Sequence, residues 1–570
     1  MAKLRQLQVS NFRGLQYFEH SFSDGITCII GRGDSGKTTI IDAISLLFSH
    51  SWSVRFDDSD FYKCDTTSPI VIEGVVSDVP DELISKFANH LRGLTKDGKI
   101  VDDMESEDAK DADLVITIRL SVPKELEPTW EVVSYNGEDN TTIKAADRSK
   151  LNVFSVADYT DRHFSMNKGN PLYSLYKELN GGAIQEKDNK VLEVVREAKS
   201  AFDGSIGNKF DVVIGKVKKM ASSLGISMND MKALLDFRDI SISENNVSIH
   251  EDGIPLRLKG KGSKRLLSLS IQLALTQPSG VILIDEVEQG LEPDRVQHLV
   301  SILAKHVGKQ VIITTHSSNV IVEIPCECLF IMRKDAQALL HVEGELQGSI
   351  RKNPEAFFAK KVLVCEGATE VGFCRAINNW RINLGEKSSA YIGVRFADGS
   401  GNSMAEYVIG FSQLGYTTGL FCDSDEVNIN NQKSKFKSQN ITVVDCEDNL
   451  SIEQQVFKDV PWVVVKELIS LAIRKIEIDD CKTHREAEES VYYSTNYHLA
   501  VKMSTMEHWY EKESIELRNA LGEAAKKKEW YKKQTFGERL GEIILNHYNE
   551  MDVKCQIKKE IDTISNWINS

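Results

Sequence analysis

The chain has 570 residues, 69 Lys and Arg against 84 Asp and Glu, a formal net charge of −15, and 41% hydrophobic and 27% charged residues. Single hydrophobic cores stop growing at roughly 250–300 residues, so this length requires two or three domains and excludes a lone small binding module. The near-average composition excludes a disordered chain or a fibrous repeat, and the acidic balance excludes a surface that is basic everywhere while leaving a local nucleic-acid groove open. No uncharged apolar run reaches the length of about 18 residues needed to span a bilayer, and the N-terminus lacks the apolar core of a secretory signal. The expectation is a cytoplasmic protein without a membrane partner. The ten cysteines form no CxxC pair and no Cys/His cluster at zinc spacing, so they read as reduced thiols, with Cys326 and Cys328 as core residues.

Over residues 3–75, apolar runs such as 26–30 alternate with helical periodicity at 40–48, which predicts an α/β arrangement. Residues 71–75 and 114–120 read as strands, and the acidic stretch between them, from Asp102 to Asp113, reads as a solvated loop. A cation or basic-partner site is its weaker reading. No internal period of 20–50 residues points to a solenoid or propeller. Residues 167–235 turn helical, with Val191, Leu192, Val194, Val195 and Ala198 in one stretch and Val212, Val213, Val217 and Met220 in another, predicting an inserted arm. The α/β character returns near Ile240 and runs to Glu343, with buried-strand candidates at 281–284 and 311–314. Residues 344–354 read as a polar linker. A second alternating region starts at Phe357, with strands at 362–364, 394–396, 419–422 and 441–444, and beyond Pro461 the chain is mainly helical.

Gly31-Arg32-Gly33-Asp34-Ser35-Gly36-Lys37-Thr38, followed by Thr39, matches G-x-x-x-x-G-K-[ST] directly after the apolar run and before a helix. Glycines let such a loop wrap a phosphate chain, so that several N–H groups and a helix N-terminus point at the anion. Gly31, Gly33, Asp34, Ser35, Gly36, Lys37, Thr38 and Thr39 are therefore the candidate ATP-binding residues. Lys37 supplies charge, and Thr38 is a candidate Mg²⁺ ligand. The run 281–284 then ends in Asp285 and Glu286, where a Mg²⁺-organising aspartate and a water-activating glutamate belong beside a phosphate loop. Alone, these acids could simply lead into an exposed turn; the upstream loop favours Asp285 as metal support and Glu286 as general base.

Three further segments narrow the class. Gly260-Lys261-Gly262-Ser263-Lys264-Arg265 precedes a helical run and the acidic strand, Gln289-Gly290-Leu291-Glu292-Pro293 is a turn entering a helix, and Thr314-Thr315-His316 ends the next strand. With the opening Val9-Ser10-Asn11-Phe12-Arg13-Gly14, they resemble ABC-type ATPase heads of the SMC and RecF kind, which sandwich ATP between two subunits. The resemblance implies Ser263 in a signature loop acting across a dimer, and His316 as a switch histidine near the γ-phosphate. The segment 260–265 departs from the usual LSGGQ wording. Asp60 reads either as a Q-loop residue or as a turn acid.

In the second half, Glu366 ends a buried strand, Gly367 lets the chain turn, and Glu370 falls in the first turn of the next helix. Asp423 and Asp425 end another strand at i and i+2, which share a face while the chain stays extended. Strand-end carboxylates converge at the C-terminal edge of a parallel sheet. Clustered acids without a basic partner repel unless divalent cations neutralise them, and oxygen-only ligands favour Mg²⁺ or Mn²⁺ over Zn²⁺. Two such ions would suit phosphodiester cleavage.

E-G-x-x-E followed by D-x-D resembles a Toprim domain. A Toprim domain C-terminal to an ABC head resembles the OLD (overcoming lysogenization defect) family of ATP-dependent endonucleases, which includes the nuclease subunit of the Gabija phage-defence system and effectors encoded with some retrons. The resemblance implies metal ligation by Glu366, Glu370, Asp423, Asp425 and Glu453. It also implies a downstream lysine that stabilises the pentacovalent phosphate; Lys532 in Trp530-Tyr531-Lys532-Lys533 is chosen over Lys533. The lysines 526–528, 532 and 533 read either as a solvated helical face or as a phosphate-facing surface. Asp398 lies in a segment resembling the Toprim loop between the acidic motifs, where it could also merely shape the turn.

The expected architecture is α/β: an ABC-type ATPase head (N-terminal lobe 1–166, inserted helical dimerisation arm 167–235, C-terminal lobe 236–350), a Toprim core at 356–460, and C-terminal helices at 461–570 completing the nuclease site. The expected function is an ATP-regulated, divalent-metal-dependent DNA endonuclease acting in antiphage defence, with a retron effector as one setting. Glu286, Lys532, Glu366, Asp423 and Asp425 are its catalytic candidates, and ATP with Mg²⁺, or Mn²⁺ at the Toprim site, its cofactors. Expected partners are DNA, further copies of the chain through heads and arm, and a defence-system component such as a reverse transcriptase with its RNA–DNA product or a helicase-like protein. The competing expectation is a RecF- or SMC-like clamp in DNA repair without nuclease activity.

Overall fold

The computed structural model describes residues 2–51, 53–102, 111–134, 139–156, 250–251, 254–275, 280–305, 310–425, 427–447, 449–497 and 508–570, together with Glu197, Ala201 and Met506. The chain divides into two compact units, one formed by 1–27 with 38–314 and the other by 28–37 with 315–570.

In the first unit, β1 (Lys3–Phe12) and β2 (Leu15–Ser21) form a hairpin, and Asn11 and Arg13 at its turn adopt φ of 57° and 48°. Apolar residues of β1 point inward, with Leu4, Leu7, Val9 and Phe12 all buried. After β3 (Gly25–Ile30) and α1 (Lys37–Leu47) come β4 (Ile70–Ser77), β5 (Arg92–Leu94), β6 (Ile100–Val101), β7 (Asp113–Val122), β8 (Thr129–Val132) and β9 (Thr141–Thr142). They build an antiparallel sheet in the order β2-β1-β4-β7-β5-β6, with β8 and β9 continuing from β7. Next come β10 (Val153–Val156), the short hairpin β11 (His250–Glu251) and β12 (Ile254–Pro255), α2 (Lys261–Leu275), β13 (Val281–Ile284), α3 (Pro293–Lys305) and β14 (Gln310–Thr314). β13 pairs in parallel with β10 on one side and β14 on the other. All four residues of β13 and all five of β14 are buried, as continuous apolar runs in a covered parallel sheet should be. The Gln310 carboxamide joins β1 to this layer, accepting from the Leu4 N–H at 2.9 Å and donating to its carbonyl at 2.8 Å.

In the second unit, the Cys28–Ile30 portion of β3 pairs in parallel with β15 (Leu329–Arg333), which pairs antiparallel with β16 (Ala338–His341). A four-stranded parallel sheet follows, built from β17 (Lys361–Cys365), β18 (Val394–Asp398), β19 (Thr417–Cys422) and β20 (Thr442–Asp445) in the order β18-β17-β19-β20. The longer helices among the described residues are α4 (Ala368–Asn383), α5 (Met404–Gln413), α6 (Ile452–Asp459), α7 (Trp462–Asp480), α8 (His484–Ser494), α9 (Ile515–Lys527), α10 (Gln534–Asn546) and α11 (Gln556–Asn569). One apolar cluster, including Leu363, Phe373, Phe421, Phe457, Trp530, Tyr531, Leu540 and Ile561, unites the sheet with these helices.

The strands expected from apolar runs fall on β3, β4, β7, β13, β14, β17, β18, β19 and β20, with ends shifted by a residue or two. The expected linker differs: residues 344–346 form a 3-10 turn, Gln347–Lys352 an α-helix, and Pro354–Phe358 another 3-10 turn. Leu346 and Ile350, four apart and both buried, give this polar-looking stretch an inward stripe. Cys326 is buried and Cys328 only partly so. The acidic stretch at 103–110 and, apart from Glu197 and Ala201, the expected arm at 167–235 lie outside the described residues.

Candidate functional site

The phosphate-loop segment begins where β3 ends. A Cβ at Gly31 would lie 2.8 Å from the Met332 carbonyl oxygen and 2.9 Å from Ser35 Oγ, so the loop closes only around glycine. Lys37 is buried, and its Nζ donates to the carbonyls of Gly31 at 3.0 Å and Arg32 at 2.9 Å, spanning its own loop. Ser35 is buried, Gly36 and Thr39 are half-buried, and Gly33, Asp34 and Thr38 are exposed.

In the first unit, Thr38 Oγ1 donates to Asp285 Oδ1 at 3.4 Å. Thr314 Oγ1 donates to the same carboxylate oxygen and accepts from the Glu286 N–H at 2.8 Å. Glu286 adopts φ of 46°, a left-handed conformation that disfavours a residue with a Cβ; strain of this kind gathers at functional positions. Buried Arg265 secures the turn, its guanidinium bonded to the carbonyls of Asp285 and Glu286 and to Gln289 Oε1. The segment expected as a loop at 260–265 is helical from Lys261, placing Ser263 in the first turn of α2. Gly262 packs against Gly290, whose carbonyl oxygen would be 2.3 Å from an added Cβ. His316, in the second unit, is exposed two residues beyond β14.

Arg13 is ion-paired to Asp60 at 2.8 Å and to Asp42. Asp60 also accepts from the Asp57 N–H, so it both shapes a turn and holds Arg13. Burial raises the Asp42 carboxyl, with the charges of Asp285 and Asp60 adding to the rise against the pull of Arg13. Sequence reasoning missed Asp42, and it singled out the segments holding Arg265 and Thr314 without giving either residue a role. Asp42 lies one helical turn beyond Thr38, a spacing that could have drawn attention to it.

The carboxylate centre lies at the C-terminal edge of the parallel sheet. Glu366 follows β17 directly, and its Oε2 accepts from the Asp423 N–H at 2.9 Å, which joins the ends of β17 and β19. Asp423 Oδ1 accepts from the Ile452 N–H at 2.8 Å at the start of α6. Glu370 reaches back to cap its own helix, accepting from the Gly367 N–H at 2.8 Å. Glu453 accepts from Ser451 Oγ at 3.0 Å. Burial pushes Glu370 from 4.5 up to about 8, with the negative charges of Glu453 and Glu366 adding to the effect. Burial, then the charges of Glu370, Glu366 and Glu453, pushes Asp423 well above the usual range. Burial also raises Glu453, opposed by its hydrogen bonds and by Lys532 and Lys526. These four acids thus share one poorly solvated region.

Asp425 is instead ion-paired to Lys526. Burial would lower the Lys526 ammonium, but Asp425 outweighs it and holds the pKa above its ordinary value. Lys532 pairs with Glu529 at 3.4 Å, while Lys533 is bound to Asp479 at 2.6 Å. The direct lysine contact to an acid of the motif is thus made by Lys526, which sequence reading had grouped with the general lysine-rich face. Asp398 accepts from the Ser400 N–H at 2.8 Å and pairs with Lys352 at 2.8 Å, so it shapes its turn.

Close helix contact brings the C-terminal segment here. A Cβ at Gly372 in α4 would meet the Gln534 carbonyl at 2.2 Å, and one at Gly537 in α10 would meet the Thr369 carbonyl at 2.3 Å. Thr369 Oγ1 donates to the Tyr531 carbonyl at 3.2 Å, tying the residue before Glu370 to the residue before Lys532. Buried same-sign oxygen donors with raised pKa values suit a hard divalent cation. Among the described residues, however, no three Asp, Glu, His or Cys side chains converge to hold a metal ion as they stand. The carboxylates are occupied by backbone N–H groups, Ser451 and Lys526, and would have to turn from these partners to share a cation.

The fold and these two centres define an α/β protein with a nucleotide-binding domain followed by a Toprim-type sheet. The family described as "AAA domain, putative AbiEii toxin, Type IV TA system" matches residues 26–323, and that described as "Overcoming lysogenization defect protein-like, TOPRIM domain" matches residues 357–425. The first match spans more than half of the chain, which belongs to that ATPase family and, with its Toprim domain, has the architecture of the overcoming lysogenization defect family. No curated protein matches the chain. Among solved structures it is similar to the Smc head domain bound to the C-terminal domain of ScpA from Pyrococcus furiosus (15% identity, 61% of this chain and 98% of that chain, TM-score 0.35). It is also similar to the recombination mediator RecF (15% identity, 60% and 98% coverage, TM-score 0.32) and to the SMC head domain from Thermotoga maritima (15% identity, 60% and 99% coverage, TM-score 0.27). No helix among the described residues is long and apolar enough to cross a membrane.

Proposed function

We propose that the chain is a cytoplasmic, ATP-regulated, divalent-metal-dependent DNA endonuclease acting in antiphage defence, with a retron effector as one setting. The observation that carries this reading is the shared carboxylate centre, in which Glu366 bonds the Asp423 N–H, burial and the charges of neighbouring acids raise Glu370 and Asp423, and burial raises Glu453, beside the lysine-bearing segment 526–533. Mg²⁺ or Mn²⁺ held by these residues and Asp425 would supply Lewis acidity toward a phosphodiester and its attacking water. Lys526 and Lys532 bring positive charge to the phosphate. The same acids weigh against the non-cutting clamp.

At the ATP site, Lys37 would exchange the carbonyls of Gly31 and Arg32 for phosphate oxygens, with N–H groups of the loop from Gly31 to Thr39 around the anion. Thr38 and Asp285 are the residues to hold Mg²⁺, and Glu286 is the general base. Ser263 acts on the nucleotide of a second copy and His316 senses the γ-phosphate. Pairing of copies through the head and the arm at 167–235, the domain limits 1–166, 236–350, 356–460 and 461–570, and a reverse-transcriptase or helicase-like partner complete the proposal.

The test incubates the purified chain with supercoiled, linear and single-stranded DNA, with and without ATP and each metal. Nicking that requires Mg²⁺ or Mn²⁺ and disappears in Glu366→Ala is the expected result. Full cutting by a folded Glu366→Ala protein removes the catalytic assignment, and DNA binding without any cutting by the wild type favours the clamp.

A further inference from the structure

The phosphate loop reaches two turns from which strands of the four-stranded sheet start, all within the second unit of the chain. The first route runs through β15, the parallel neighbour of β3. Gly31 closes on Met332, whose carbonyl oxygen and Cβ would lie 2.8 Å and 3.5 Å from an added Cβ. The next residue, Arg333, donates from Nε to the Leu414 carbonyl at 2.7 Å, and its guanidinium lies 3.9 Å from the centre of the Tyr416 ring. A Cβ on Gly415, whose φ is 75°, would come within 3.5 Å of Arg333 Nε, so the turn at 414–416 wraps the guanidinium closely. Tyr416 is buried and its hydroxyl donates to the Phe357 carbonyl at 2.6 Å, which makes that turn a firm seat. The second route is direct. Arg32 packs against Gly393, where a Cβ would overlap Arg32 Nη1, and the Gly393 carbonyl accepts from the N–H groups of Lys360 at 2.8 Å and Lys361 at 3.2 Å.

The strands that start at these turns end at the acids. Tyr416 precedes β19, which runs into Asp423, and Lys360 precedes β17, which runs into Glu366. They pair from Lys361 with Thr417 to Cys365 with Phe421, and the bond from the Asp423 N–H to Glu366 joins their far ends. Strands of this length span roughly 17–20 Å, and both are hydrogen-bonded on each side within a close-packed sheet, so they shift as stiff bars. A displacement at one end changes the spacing of Glu366 and Asp423 at the other. The group with two alternative sets of partners is Lys37: its Nζ holds the Gly31 and Arg32 carbonyls, and phosphate oxygens compete for the same ammonium. Arg333 is a poor choice for a joint made only for stability. Its Nη2 is buried with no hydrogen-bond partner among the described residues, a cost that apolar packing would avoid.

We propose that Arg333 is the positioning residue through which the phosphate loop sets the geometry of the carboxylate edge. The inference rests on the ATP-regulated nuclease reading and gives that regulation its route. When Lys37 exchanges the Gly31 carbonyl for phosphate, the loop shifts against Met332, Arg333 carries the shift to the turn at 414–416, and β19 carries it to Asp423. Arg32 and Gly393 hold the start of β17, so the two strands respond differently and the bond between Glu366 and Asp423 is altered.

The test follows hydrogen–deuterium exchange in the full chain, in constant Mg²⁺, with and without adenosine 5′-(γ-thio)triphosphate. In the wild type the analogue should protect residues 31–38 and change exchange over 414–424 at least about fivefold, the lower end of ordinary coupling between two sites. Arg333→Met, which keeps the apolar stem, should leave the protection at 31–38 intact and reduce the change at 414–424 below twofold, and Arg333→Lys, which keeps a cation for Tyr416 and a donor for Leu414, should recover part of it. In plasmid nicking, ATP should alter the wild-type rate at least fivefold and the Arg333→Met rate less than twofold, with ATP hydrolysis and nicking without ATP both within twofold of the wild type. The proposal is overturned if the wild type binds the analogue without any change at 414–424, a result that needs no variant. It is equally overturned if folded Arg333→Met keeps the full response, or if it loses ATP hydrolysis or ATP-free nicking as well, because the residue would then be structural. Absence of protection at 31–38 in the wild type removes both the coupling and the ATP site. A wild type that never nicks counts against the nuclease reading, whereas the exchange result decides the coupling without cleavage.

Discussion

Glu370 offers the sharpest test of the carboxylate centre because its protonation is tied to folding. The carboxyl titrates near 4.5 when unfolded and near 8 in the folded chain, so the folded protein binds the proton more tightly. Stability from this group is fully present below about pH 4.5, falls as pH rises, and is lost by about pH 8. At about 1.4 kcal/mol per pH unit, the loss across this window is on the order of 5 kcal/mol. Glu370→Gln keeps an oxygen for the Gly367 N–H but carries no charge. In urea unfolding with EDTA, wild type and variant should be similar near pH 5, and the variant more stable by a few kcal/mol at pH 8.5. The gain is smaller than the full window because Asp423 and Glu453 also carry raised carboxyls and redistribute their protons once Glu370 is neutral. Mn²⁺ at about 100 times its Kd should stabilise the wild type by about 2.7 kcal/mol, with a larger midpoint shift at pH 8.5 than at pH 6, and should stabilise the variant less. A wild-type stability that is flat from pH 5 to 8.5 in EDTA, or a variant less stable at every pH, refutes the reasoning.

Lys37→Ala removes the ammonium that spans the phosphate loop, and ATP hydrolysis by the purified variant should fall to background in a phosphate-release assay. Lys526→Ala and Lys532→Ala should each slow plasmid nicking at least tenfold, whereas Lys533→Ala, which removes one of the two lysines paired with Asp479, should change the rate less than threefold in the same assay. Gly537→Ala sets a methyl group 2.3 Å from the Thr369 carbonyl, and the resulting overpacking should cost about 1–3 kcal/mol in denaturant unfolding.

The readable part of this chain was local. The phosphate loop and the acids at 285–286 are contiguous words placed at the ends of apolar runs, so strand, turn and chemistry could be read together. Glu366, Glu370 and Asp423 were readable for a related reason: parallel strands end on one edge, and two acidic words at strand ends belong there together. The helix at 347–352 was hidden because Leu346 and Ile350 are the only large apolar side chains that it turns inward, the third buried residue being the polar Ser349. Arg265 stands in the segment 260–265 but has no legible role there, because its bonds reach carbonyls about twenty residues away, which no spacing rule encodes.

The lysines show most plainly where a linear reading stops. Lys526, Lys532 and Lys533 lie within eight positions and look interchangeable, yet one pairs with Asp425, one with Glu529 and one with Asp479. What separates them is where the chain leaves α9 and enters α10. That path is fixed by contacts of backbone against backbone at Gly372 and Gly537, and by the Tyr531 hydroxyl donating to the Leu468 carbonyl at 2.9 Å. Glycines in helix interiors cost propensity, so three of them, Gly372, Gly537 and Gly541, at one crossing imply that close approach outweighs that cost. The approach holds the C-terminal segment against the first turn of α4, and thereby decides which ammonium groups can act on the acids of the sheet edge.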